Sequence, residues 1–292
     1  MAENMKNVIV TVVDNMKITY EQLKGGESKE QPMSELSLQE FWLKLHVAVR
    51  CVSTEVTKLC MAPQETQLVT CVEAGYVDMI NIYHSLSRAV CGLTLHRLVH
   101  RAVLDVMQAL ILLFTSFTHE KQRLAAAGRV WEVCEAVENL PVNAVLAACQ
   151  VIQREEVLVV DALQEIEQER LEGGDMAGVC VGLVKTARVC LKQVVMAMKK
   201  IGQCDTEQHI SQLDNLVVKC QTVSPAVDEL ITCFYINTSS IKTAADSLKT
   251  ELLSLLELVK QSHLVTQEDS WVDFLVKAAH HNHNKLLSAL DT

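Results

Sequence analysis

Apolar residues fall three and four apart along most of this chain. The clearest stretch runs from Leu93 to Phe117, LTLHRLVHRAVLDVMQALILLFTSF. Its apolar positions are Leu95, Leu98, Val99, Ala102, Val103, Val106, Leu110, Leu113, Phe114 and Phe117, one wide stripe on a 3.6-residue period. Between Ala109 and Phe114 the stripe runs almost all the way round, as expected of a central helix packed on several sides. At 1.5 Å per residue it would be about 37 Å long.

The same period recurs on both sides of that stretch. Residues 3–24 predict a first helix with Val8, Ile9, Val12, Val13, Met16 and Tyr20 on one side, ended by Gly25-Gly26 and a polar loop over 25–36. Ser37 with Glu40 reads as a capping box opening a helix to about Met61, with Phe41, Leu45, Ala48, Val52, Val56 and Leu59 inward. Pro63 fits the first position of a third helix that reaches Leu86. A fifth helix spans Glu120 to Leu140, with Leu124, Val130, Trp131, Cys134 and Val137 inward. Leu140 precedes Pro141 and so avoids the α region, which places a domain boundary there, between 1–140 and 141–292.

The second half repeats this organisation without a convincing sequence repeat. One helix covers 142–171, ending in an acidic run, Glu165 to Glu172; Gly173-Gly174-Asp175 turns the chain; a second covers 176–201. Asp205 with Gln208 reads as a capping box for a third helix toward Tyr235, which Ser224-Pro225 kinks or restarts with Ser224 as N-cap. Asn237 begins a fourth helix to Ser262. A loop from His263 to Asp269 leads to a last helix, Ser270 to Leu290, with Trp271, Phe274, Leu275, Ala278 and Leu286 inward. The expectation is an all-α protein of two antiparallel bundles, about five helices each.

Composition supports long helices: four prolines and ten glycines in 292 residues leave few interruptions, and a 49% apolar content allows a large core. The many valines would suit strands, but strict alternation over six or more positions is rare. The net charge is −10, with 13 basic and 16 acidic side chains in residues 1–140 and 13 and 20 in the remainder. Neither half has the basic stripe that phosphate neutralisation needs, so direct nucleic-acid binding is not expected. No run of 18 apolar residues occurs, and no membrane span is expected. The eleven cysteines contain no CxxC pair; the odd count, and the lack of a signal-peptide pattern, predict free thiols in a reducing compartment.

Reaction chemistry is sparse. His280 and His283 could share a helix face as metal ligands, with His281 facing elsewhere, but no carboxylate or cysteine completes the set, and surface or packing histidines are the better reading. His96 and His100 have a spacing zinc can use, but position 97 is Arg, so the glutamate of HExxH is missing. Arg101 and Asp105 predict an i, i+4 ion pair in line with Arg97. Glu165, Glu167, Glu169 and Glu172 read as a solvated helix end. GxSxG, GxGxxG and GxxxxGK[ST] are all absent. No catalytic, cofactor-binding or metal-binding residue is assigned, and no enzyme is expected.

Several short stretches, in order, resemble the cyclin-D-interacting (cyclin-D-binding) protein family, whose members are described as helix-loop-helix proteins without a basic region. They are Phe41-Trp42, Pro63-Gln64-Glu65-Thr66-Gln67, Leu95, Arg97-Leu98-Val99, Ala102, Leu104-Asp105-Val106, Val130-Trp131, Leu140-Pro141, Ser224-Pro225, Val227-Asp228 and Asp269-Ser270-Trp271. The resemblance implies paired bundles like those of vinculin and talin. It also implies a non-enzymatic negative regulator of the cell cycle that binds D-type cyclin and sequesters helix-loop-helix transcription factors, lowering transcription, in cytoplasm and nucleus; a monomer is expected. The alternative is a vinculin-like structural adaptor linking cytoskeletal or adhesion proteins. The family has a long acidic insertion where this chain has only the run ending near Asp175. Neither an RxL cyclin-docking tripeptide nor an LxCxE retinoblastoma-binding motif occurs, so cyclin contact would use a folded surface. The best helix-loop-helix candidate is 176–201, Gly202 to Cys204 and 205–221. Its stripes (Leu183, Val184, Leu191, Val194; Leu213, Leu216, Val217) are expected to be hidden in a closed bundle.

Overall fold

A computed structural model describes residues 2–25, 36–117, 120–171, 177–236, 240–265 and 271–290. The expected loop over 26–35, the Gly173-Gly174-Asp175 turn with Glu172, the helix start at Asn237 and the segment 266–270 lie outside them. Eleven helices and no strand occur among the described residues, the all-α class expected. They are α1 (Ala2–Lys24), α2 (Leu38–Met61), α3 (Thr66–His84), α4 (Arg88–Thr115), α5 (Glu120–Glu138), α6 (Ala144–Leu171), α7 (Ala177–Ile201), α8 (Glu207–Cys220), α9 (Val223–Ile236), α10 (Ile241–Lys260) and α11 (Trp271–Leu290). The chain divides into two compact units, Met1–Val142 and Asn143–Thr292.

In the first unit α2 packs on α3 and α5, and α4 on α5 and α3; α1 lies across α4 and α3, outside that group of four. The Ser37–Glu40 capping box forms as expected. The central stripe on α4 is buried at Leu95, Val99, Val103, Val106, Leu110, Leu113 and Phe114. Gly92 adopts φ 78°, ψ 164° inside that span, a left-handed conformation that breaks the helix and that a side chain would resist. The all-round apolar reading of its last turns was too broad, because Leu112 is 52% exposed. By length and composition α4 could also cross a bilayer, but half of that apolar window is covered by the unit's other helices. The Trp42 indole N–H donates to the Val142 carbonyl at 2.9 Å, tying the start of α2 to the residues that follow α5.

Three local expectations fail in this unit. Pro63 does not open α3. It lies in a turn closed by the Glu65 N–H donating to the Ala62 carbonyl, because Ala62, before a proline, leaves the helical region at φ −124°, ψ 66°. Leu124 and Trp131 point outward from α5, which buries Ala126, Ala127, Val130, Cys134 and Val137 instead.

In the second unit α6 packs on α7, α8 and α9, and α10 on α7, α8, α9 and α11. It has six helices rather than about five. The chain restarts at Val223, one residue before the expected N-cap, so Pro225 falls in the first turn of α9, where its missing N–H costs nothing. Ser224 is buried and donates its hydroxyl to the Glu155 carboxylate on α6. The cap of α8 is Thr206, which accepts the His209 N–H, rather than Asp205 with Gln208; Asp205 bonds the His209 ring instead. On α11 the buried stripe is Val272, Leu275, Ala279, His283 and Leu286. Phe274 is 68% exposed, Trp271 and Ala278 half-buried, because the helix is turned by one position from the expected register.

Candidate functional site

The residues with possible reaction chemistry are held by ordinary packing. His280 and His281 are exposed, while His283 is buried between α10 and α11. Its Nε2–H donates to Asp246 at 2.6 Å, and Lys249 Nζ lies 3.4 Å from Nδ1. Next to it, Asn282 donates to the Thr186 hydroxyl on α7 at 2.9 Å. His96 and His100 stack with ring centres 6.5 Å apart, and the Tyr83 hydroxyl meets His100 Nδ1 at 2.7 Å. Among the described residues no group of three or more His, Cys, Asp or Glu could hold a metal. Arg101 pairs with Asp105 at 3.2 Å on the exposed side of α4. Glu165 is exposed, and Glu167 bridges to Lys185 on α7 at 2.6 Å; the Glu169 side chain lies outside the description.

All eleven cysteines are free thiols. Burial pushes Cys134 and Cys190 up to about 12 and Cys180 to about 11, and raises Cys220 further. At neutral pH these are protonated, space-filling thiols.

Two apolar surfaces lie open on the first unit. On α5, Leu124, Gly128 and Trp131 follow at i, i+4 and i+7 and so share one outward face. Leu124 is 52% and Trp131 40% exposed, and a Cβ placed on Gly128 would touch nothing within 4 Å. Glycine in a helix interior costs about 1 kcal/mol relative to alanine, and no internal neighbour requires it here. It leaves a notch between a leucine and a tryptophan. Leu112, also exposed, lies on α4, which packs against α5.

The other surface is an open groove of about 1010 Å³ beside α1. Met5, Val13, Phe114 and Phe117, all buried, form its floor. Exposed Lys6, Val10, Asp14 and Lys17 stand along its α1 wall, and Arg123 faces them from α5. The Arg123 guanidinium sits 5.4 Å from the centre of the Phe117 ring. Its Nε is buried and has no hydrogen-bond partner. A smaller groove in the second unit, about 440 Å³, is lined by Met196, Lys199, Lys200, Leu264 and Trp271.

Comparison with known proteins decides the family. Residues 44–171 and 154–257 match the N-terminal and C-terminal parts of the family described as Grap2 and cyclin-D-interacting. A Xenopus laevis protein named cyclin-D1-binding protein 1 homolog is 30% identical, over 95% of this chain and 96% of its own length. The chain belongs to this family. A homolog of the same name from Danio rerio is 27% identical over 99% of this chain and 98% of its own length. The Homo sapiens cyclin-D1-binding protein 1 is 25% identical over 94% and 91%.

Within this cyclin-D-interacting family chain the two surfaces differ in position. The α4–α5 face lies inside the matched range; α1, one wall of the groove, lies before it. The two family segments overlap along α6. The helix-loop-helix stripes lie inside the range too, on α7 and α8, and are closed: Leu183, Val184, Leu191 and Val194 are fully buried, and Leu213, Leu216 and Val217 nearly so. Sequence reasoning missed both contact surfaces. It assigned Leu124 and Trp131 to the core by their apolar character. The usable signal was Gly128 between them, since a helix interior tolerates glycine best where something needs the space.

Proposed function

We propose that this protein is a non-enzymatic interaction protein that binds D-type cyclin through the outer face of α4 and α5. The observation that carries the reading is near-full-length similarity to proteins named for cyclin D1 binding. The surface reading follows from physical argument. Interface energy concentrates in a few aromatic and large apolar anchors, tryptophan above all, seated in well-packed pockets. Trp131 and Leu124 are such anchors, and the Gly128 notch admits a partner backbone or side chain between them. Helix-loop-helix transcription factors are a second partner class, engaged by outer faces, since the α7 and α8 stripes are already packed. In this reading the protein acts as a negative regulator of cell-cycle progression in cytoplasm and nucleus.

The test is calorimetric titration of a purified D-type cyclin into the full chain. Saturable binding is expected, and Trp131→Ala should weaken it at least about 30-fold, about 2 kcal/mol, with an unchanged melting temperature. No binding by a chain that circular dichroism shows to be helical, or equal binding by the variant, would overturn the reading. Binding to actin filaments without cyclin binding would favour the cytoskeletal adaptor.

A further inference from the structure

The groove beside α1 carries an inference that stands apart from cyclin binding. Its α1 wall is built from Met5, Lys6, Ile9, Val10, Val13, Asp14 and Lys17, positions in successive turns along one side of the helix. Met5 to Lys17 covers twelve steps, about 18 Å, slightly more than three turns. Spreading 1010 Å³ along that length gives a trough about 7 Å across, room for the buried side of a helix 10–12 Å in diameter. Its floor is apolar and fixed, because Phe114 and Phe117 belong to the packed end of α4 and the turn after it.

The charge around the trough is specific. The whole chain carries −10, yet this groove presents Lys6, Lys17 and Arg123 against Asp14 alone. Lys6 and Lys17 stand eleven residues apart, about 16 Å, so positive charge flanks the trough along its length. Arg123 supplies the independent observation. A buried donor without an acceptor costs about 1–3 kcal/mol, more when charged, and native structures keep such groups where something else completes them. Here the Nε is covered, none of the described residues offers it an acceptor, and the Phe117 ring lies against the guanidinium. A carboxylate entering the groove would pair by a charge-assisted hydrogen bond with the part of the guanidinium that lines it.

We infer that the α1 groove is a docking site for an amphipathic helix of about three turns. Its apolar side lies on Val10, Val13, Phe114 and Phe117, and one acidic residue pairs with the Arg123 guanidinium where it lines the groove. This is helix-in-groove recognition, with the apolar floor giving affinity and the cations selecting an acidic partner.

The experiment uses the full chain and fluorescence anisotropy. The probe is a labelled peptide of about 14 residues with leucine and methionine on one helical side and glutamates flanking it. A twin has each glutamate replaced by lysine. The acidic peptide should bind saturably and the twin at least tenfold more weakly. Arg123→Gln should weaken the acidic peptide at least fivefold and flatten its salt dependence. Val10→Asp should abolish binding, while the melting temperatures of both variants stay at that of the parent. Equal binding of the two peptides, no saturable binding of either, or indifference to Arg123→Gln would each overturn the inference. Oleate binding with no peptide binding would overturn it in favour of a small anionic amphiphile. The cyclin titration uses Trp131, which this test leaves intact, so failure of one assay is distinguishable from failure of the other.

Discussion

The two units treat buried polar groups in opposite ways. Among the described residues of the second unit, the buried and half-buried polar groups find partners within the unit. His283 bonds Asp246, Asn282 bonds Thr186, Ser224 bonds Glu155, and Glu251 on α10 accepts from Lys219 and Thr222. His263 is held at both ring nitrogens: Nε2 accepts the Gln203 N–H, and Nδ1 meets Gln212 Oε1 at 2.7 Å. In the first unit His46 Nε2 and Arg123 Nε are buried without partners, and among the described residues no such atom occurs in the second. The first unit also carries the α1 groove and the Leu124–Gly128–Trp131 face. Both units leave apolar side chains exposed, Phe274 and Ile236 in the second as well as Leu124 and Leu112 in the first, so the contrast rests on the unpartnered polar atoms of the first unit. The proposed function places recognition on the first unit, and the second is its counterpart in the tests below.

Four perturbations sharpen or break this contrast. The largest effect should come from the second unit's core. Leu191→Ala removes a fully buried side chain and should cost about 2–5 kcal/mol in denaturant unfolding, whereas Trp131→Ala on the exposed α5 face should stay within about 0.5. Next, Asp246→Ala strips the acceptor from His283 Nε2, whose residue is 2% exposed; a loss of about 1–3 kcal/mol should follow. In the first unit the sign changes. Arg123→Met replaces an orphaned donor by an apolar chain of similar length, so thermal unfolding should show no loss and a gain of up to about 1 kcal/mol. A loss comparable to that of Asp246→Ala would break the contrast.

The smallest effect is a pH dependence confined to the second unit. Burial, helped by the neighbouring His209, holds the His263 imidazole below its ordinary value of 6.5. The unfolded chain then binds the proton more readily, so stability is fully present above pH 6.5 and declines as the pH falls below it. The Gln203 N–H on Nε2 has the same sense, because a protonated ring cannot accept it. His263→Gln should flatten that slope in unfolding measured between pH 7.5 and 5.

Much of the fold was legible in the sequence because it rests on local rules. The stripe of α4 and the Ser37–Glu40 capping box depend on spacing alone, and both formed. The misses share a cause. Register around a helix axis is settled by which neighbours it has, which spacing does not reveal. Phe274 and Val272 are both apolar, and only the position of α10 and α7 against α11 turns Val272 inward. The same ambiguity hid the α5 face: Trp131 looks like core until α5 is placed between α2 and α4. The α1 groove was beyond sequence reasoning, because it joins residues as distant as Val10 and Arg123. The buried state of the α7 and α8 stripes followed from their number, since a bundle must put such stripes somewhere.

Hydrogen–deuterium exchange of the full chain, with and without saturating D-type cyclin, tests the division of labour most directly. The account predicts added protection on α4 and α5 around Leu112 and Leu124 to Trp131. It also predicts that α7 and α8 are well protected in the free chain and unchanged in the complex. Opening of α7 and α8 on cyclin binding, with no change on α4 and α5, would contradict it.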